Sequence, residues 1–175
     1  MGWSDPIREH ATRSVLPAAC KDKQGHPFTI REFRPEDRPA LEAFYDAFEP
    51  KRAAQGLPPK GAERIARWLD TVLPGGVHLM VEMEGELIGH ALLVPTRDGG
   101  VAEYAIFLRQ DVRGRGVGTE VNRHTAEVGR ALGLRRLWLS VEPHNRAAIR
   151  SYEKAGFQFR PGTILSVEAE MQMEL

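Results

Sequence analysis

The sequence predicts an α/β domain with one mixed, mostly antiparallel central sheet of six to seven strands and about four flanking helices. Three observations predict it. The runs "VHLMVEME", "ELIGHALLVPT" and "VAEYAIFLRQ" are strand-like, and the turns joining them are too short for anything but antiparallel neighbours. A glycine cluster, "VRGRGVG", then separates the third run from a helical stretch that leads to the strand "RRLWLSVE". A last helix, "NRAAIRSYEKAG", precedes two closing strands, "FQFRPG" and "ILSVEAEMQMEL".

In chain order, residues 1–19 are mixed and aperiodic and read as an N-terminal extension; residues 20–175 read as the domain. Gln24-Gly25 signals a turn, and "FTIREF" alternates with Phe28, Ile30 and Phe33 inward. Pro35, Glu36 and Asp37 open a helix whose apolar positions are Leu41, Phe44, Tyr45 and Phe48. The stretch 49–61 is a proline- and glycine-rich loop, and Ile65, Trp68, Leu69 and Val72 restore helical spacing. Glu84-Gly85 and Asp98-Gly99-Gly100 supply the hairpin turns. Gly133 and Gly156 sit where the last two helices should stop.

A chain of 175 residues suits one domain with a proper core. A formal net charge of zero gives no general argument for nucleic acid or a membrane surface as partner. The single cysteine, Cys20, excludes an intramolecular disulfide, and no cysteine metal site is expected. No apolar run is of spanning length and no secretory leader is apparent, so a cytoplasmic location is the expectation.

The glycine cluster carries the chemistry. The order strand, glycine loop, helix presents unpaired N–H groups at a helix N-terminus, an anion cradle suited to pyrophosphate. Gly114, Gly116 and Gly118 admit close approach, and Arg113 and Arg115 add positive charge. The P-loop pattern fails for want of its lysine. The dinucleotide fingerprint fails because its third glycine falls on Thr119 or Val121. The pattern [RQ]-x-x-G-x-[GA] is met by Arg113, Gly116 and Gly118, and "HNRAAIRSYEKAGF" follows one helix and one strand later. In these two blocks and their order, from about Phe28 to Leu175, the chain resembles the GNAT superfamily of N-acetyltransferases.

That resemblance implies a sheet splayed between its fourth and fifth strands, with acetyl-CoA bound in the gap. It places Phe107, Leu108 and Gln110 beside the pantetheine arm. It places the N–H groups of Arg113, Gly114, Arg115, Gly116, Val117, Gly118 and Thr119 on the pyrophosphate. Asn145 is a good helix cap, and the family also uses it near the pantetheine. Tyr152 would stand near the thioester sulfur as the acid for the departing thiolate. Leu108 is the expected oxyanion donor. Glu103, a carboxylate within an apolar strand, is the candidate base, and Glu142 is the second.

The activity implied is acetyl transfer to a primary amine, of a small molecule or of a protein lysine or N-terminus. A non-catalytic acyl-CoA sensor of the same fold is the alternative. The position of Glu103 tilts the acceptor toward a protein or peptide amine. The first two helices, their loop and the last hairpin would form the acceptor end, where Tyr45, Phe48 and Trp68 either line a pocket or pack. No metal site is expected, and the chain is read as a monomer or homodimer. His78, His90 and His144 are isolated in the sequence and read as structural or exposed. Cys20 lies outside the matching blocks and is not read as a nucleophile.

Overall fold

The computed structural model describes residues 2–49, 58–163 and 167–175. Helix α1 (Asp5–Val15) leads to strands β1 (Ala18–Lys21) and β2 (Pro27–Glu32), then to helices α2 (Arg38–Ala47) and α3 (Ala62–Val72). Strands β3 (Val77–Met83), β4 (Glu86–Pro95) and β5 (Val101–Leu108) follow, then α4 (Val117–Ala131), β6 (Arg136–Val141) and α5 (Arg146–Ala155). Strands β7 (Gln158–Phe159) and β8 (Ala169–Glu174) close the chain.

Among the described residues the sheet runs β1-β2-β3-β4-β5-β6-β8-β7 and has eight strands rather than six or seven; β1 is the addition. Its pairs are antiparallel except β5 with β6. That parallel pair is the predicted splay. It runs only from Val101↔Arg136 to Glu103↔Trp138, although β5 continues to Leu108 and β6 to Val141.

Residues 1–19 also correct the sequence reading, because most of them are helix α1 and the start of β1. Pro6 in the first turn suits a helix start. A narrow stripe at Ala11 and Thr12 is buried, and the helix packs on α4. Such a short apolar face leaves almost no periodic signal. Of the proline-rich loop, residues 50–57 lie outside the described residues, as do 164–166 at the start of the last predicted strand.

Strand alternation divides the core into two layers. On one face Leu79, Val81, Leu93, Tyr104, Val117, Val121, Leu137 and Phe157 join α4 and α5 to the sheet. On the other Met80, Leu92 and Phe107 meet Leu41, Tyr45, Phe48, Ile65 and Leu69 of the α2–α3 side. Phe28 and Ile30 are buried as predicted. No helix among the described residues is long and apolar enough to cross a membrane.

Candidate active site

The glycine loop takes the form its sequence demands. Gly114 and Gly116 have φ of +74° and +86°, the left-handed region where a side chain is strained. Gly116 caps α4, whose first internal bond runs from the Glu120 amide to the Gly116 carbonyl at 3.3 Å. The amides of Val117, Gly118 and Thr119 therefore have no partner within the helix. Gly118 serves close packing: a Cβ there would lie 3.2 Å from both Leu108 Cδ1 and Ser151 Oγ. These features fit an anion cradle.

The cradle opens into a cleft of about 940 Å³ where β5 and β6 part. Odd-numbered residues of β5 bond to β4, as shown by Thr96 N–H to the Val101 carbonyl at one end and Arg109 N–H to the Ile88 carbonyl at the other. Antiparallel alternation then turns the main-chain groups of Tyr104, Ile106 and Leu108 toward the widening gap. Phe107 belongs to the β4 ladder and reaches the cleft with its ring. Because the gap breaches the sheet, Phe48 and Glu103 of the α2–α3 face share one cleft with Asn145 and Tyr152 of the α4–α5 face.

Tyr152 is 8% exposed and sits on α5 with its ring edge-on to Tyr104 and Phe157. Tyr152 lines the cleft, and its hydroxyl has no hydrogen bond among the described residues. Burial pushes that hydroxyl well above the usual tyrosine range, so it holds its proton. Glu103 lies at the last β5–β6 pair. It is exposed, yet partial desolvation raises its carboxyl above the ordinary value. Asn145 caps α5 by accepting from the Ala148 amide at 3.2 Å, and it also lines the cleft. Glu142 does too, with His144 Nε2 at 3.2 Å from its carboxylate.

Phe107, Leu108, Gln110, Arg113, Gly114, Gly116, Gly118, Thr119 and Asn145 thus gather with Glu103 and Tyr152 around one cleft. Arg115 and Val117 do not line it. Val117 is fully buried, so only its amide can serve. The Arg115 guanidinium turns away to Asp22, at 2.5 Å, so its charge is spent on a structural pair. Arg113 folds back as well: its Nε and Nη2 donate to the Leu108 carbonyl at 3.0 and 2.8 Å, and its guanidinium lies 5.5 Å from the Phe48 ring centre. Lys23 supplies charge where the arginines do not, reaching the cleft from the turn after β1. Nothing in the local sequence marks it, because only the fold brings it within reach of Gly116.

Two polar networks also escaped the sequence. Beside Tyr152, the Tyr104 hydroxyl donates to Asn122 Oδ1 at 2.7 Å, and Asn122 Nδ2 donates to Ser151 Oγ at 3.1 Å. The second corrects the reading of His78 and His90 as isolated. They stack at 5.2 Å between adjacent strands. The Val72 carbonyl, 2.9 Å from His78 Nε2, can only accept. His78 Nδ1 must then accept from His90 Nε2, and His90 Nδ1 from the Tyr45 hydroxyl, at 3.0 and 2.5 Å. Burial favours the neutral ring in both histidines and lowers His78 to about 4. Tyr45 therefore packs and anchors α2 rather than lining the cleft, as the packing reading expected.

The acetyltransferase (GNAT) family model matches residues 39–157. An L-methionine sulfoximine/L-methionine sulfone acetyltransferase of Pseudomonas aeruginosa is 29% identical over 137 residues, covering 74% of this chain and 80% of the relative. The GNAT domain of S. lividans PAT superposes with a TM-score of 0.76 at 22% identity, over 91% of this chain and 97% of that one. The structure of yncA from Salmonella typhimurium with its cofactor acetyl-CoA gives 0.68 at 22% identity, over 85% and 94%.

Proposed function

This chain belongs to the acetyltransferase (GNAT) family, an acetyl-CoA-dependent family of acyltransferases, and on that premise we propose that it acetylates the α-amine of a small amino acid by direct attack. One observation carries the reading: Tyr152, whose hydroxyl keeps its proton and has no protein partner among the described residues, lines a cleft that runs from the anion cradle through the sheet.

The donor's pyrophosphate rests on the amides from Gly114 to Thr119, and its pantetheine arm runs along the free main-chain groups of β5. The acceptor enters from the α2–α3 face, past Phe48 and Phe107. Its amine must be neutral to attack, and Glu103, raised above an ordinary carboxylate, takes the proton through a chain of waters along β5. The C–N bond forms as the thioester carbonyl becomes an oxyanion, for which the Leu108 amide is the proposed donor. When the oxyanion collapses the C–S bond breaks, and Tyr152 gives its proton to the sulfur.

The named activity of the Pseudomonas relatives moves the acceptor away from the protein or peptide amine that Glu103 alone suggested. Methionine sulfone is the first acceptor to try. Release of free thiol from acetyl-CoA, dependent on methionine sulfone and saturable in it, is the expected result. Tight acetyl-CoA binding with no thiol release across a panel of amino acids, peptides and polyamines would instead mark a sensor.

A further inference from the structure

We propose that Cys20, Glu120 and His124 form a three-ligand site for a divalent metal of the zinc class, clipping β1 to α4. The site is separate from the acyl-transfer cleft, whose lining includes none of the three. One donor atom from each residue lies within 4.8 Å of the others. Zinc bonds of roughly 2.0–2.3 Å in tetrahedral array put donors roughly 3.5 Å apart. Side-chain shifts of roughly 1 Å would close that difference.

The local geometry supports ligation in three ways. Glu120 and His124 are four residues apart on α4, so they share a face, and β1 brings Cys20 against it. His124 Nδ1 donates to the Glu120 carbonyl at 2.8 Å, which fixes the tautomer with Nε2 bearing the lone pair. Metal-binding histidines are commonly oriented this way by a backbone acceptor. The competing partner of Glu120 is Arg123, at 2.8 Å in a partly exposed pair that costs little to break. A thiolate and an imidazole select zinc-class ions over magnesium or calcium, with water left to complete the shell.

Cobalt(II) is the probe, titrated into the full chain with its thiol kept reduced. Because the chain has one cysteine, any thiolate-to-cobalt charge-transfer absorption reports Cys20. The expected result is a band saturating at one equivalent, displaced by zinc, with zinc also raising the melting temperature. Cys20→Ser should abolish the band while acetyl-CoA affinity stays unchanged. His124→Gln and Glu120→Gln should each weaken cobalt binding about tenfold or more. No band in the unaltered protein overturns the proposal. A band of undiminished affinity in both His124→Gln and Glu120→Gln overturns it equally, since Cys20 would then be acting without the other two.

Discussion

Replacing Tyr152 with Phe separates chemistry from packing at one atom. The ring sits 6.4 Å from that of Tyr104 and 5.7 Å from that of Phe157, centre to centre, and Phe keeps both contacts. The hydroxyl has no hydrogen bond among the described residues, so its loss breaks none of theirs. Folding stability should move by less than about 0.5 kcal/mol. The rate should not be spared. General acid catalysis contributes roughly 10²–10⁴-fold. A thiol of pKa near 8.5 leaves more readily than an alkoxide, so the lower end is expected, a kcat reduced about 100-fold, or about 2.7 kcal/mol of barrier. Thiol release at saturating acetyl-CoA and acceptor gives kcat, calorimetry gives the donor Kd, and thermal melting gives stability. The Kd should stay within about twofold, because the cradle is untouched. The pH profile adds a check: burial holds the hydroxyl above 10, so it should contribute no loss of rate on the basic side below that pH. A kcat within about threefold of the unaltered enzyme would remove Tyr152 as the acid, and a rate loss matched by a melting loss would make it structural.

Three further outcomes follow from the same geometry. Glu103→Gln should lower kcat and abolish an acidic limb whose midpoint lies above 4.5, leaving the donor Kd unchanged; an identical acidic limb in the variant would assign the base elsewhere. Gly116→Ala should cost about 1–2 kcal/mol of strain at φ +86° and weaken acetyl-CoA binding, while its Cβ merely displaces the flexible Lys23 stem at 3.1 Å; unchanged melting and Kd would mean the loop need not be left-handed. His78 has a folded pKa of about 4 against an ordinary 6.5, so the unfolded chain takes up a proton first as pH falls. Its stabilisation is complete above 6.5 and is lost progressively toward pH 4, on the order of 3 kcal/mol in all. Urea unfolding should show this slope, and the slope should flatten in His78→Gln; an equal slope in both would place the titration on other groups.

What the sequence revealed depended on whether the determining signal was local. The hairpins announced themselves at Gly85 and Gly99-Gly100, and α4 and α5 through a glycine N-cap and an asparagine N-cap. The cradle was readable because backbone conformation, which glycine controls, is most of its function. Charge was misread there: Arg113 and Arg115 adjoin the cradle in sequence, yet their guanidinium groups are taken by the Leu108 carbonyl and by Asp22. Helix α1 was missed because Ala11 and Thr12 are a stripe too narrow to register as a period. The His78–His90 pair was missed because it depends on the β3–β4 register, which sets His90 opposite Met80 and His78 opposite Leu92. No spacing rule applied to either histidine alone could supply that register.

The two core layers explain why donor and acceptor can meet at all. An intact sheet would keep the α4–α5 face, where the cradle lies, apart from the α2–α3 face, where Phe48 and Phe107 lie. The β5–β6 ladder ends at Glu103↔Trp138, so the main chain from Tyr104 to Leu108 is left to bond something other than β6. An unpaired inner strand is costly unless it is satisfied. Here the Arg113 side chain covers the Leu108 carbonyl, and the remaining cleft-facing groups of β5 are the ones proposed to hold the pantetheine arm and the oxyanion. The carboxylate that marks the end of the ladder is the one proposed to take the acceptor's proton. Position along β5 thus orders the reaction: Glu103 at the acceptor's end, and Leu108 toward the thioester and the cradle.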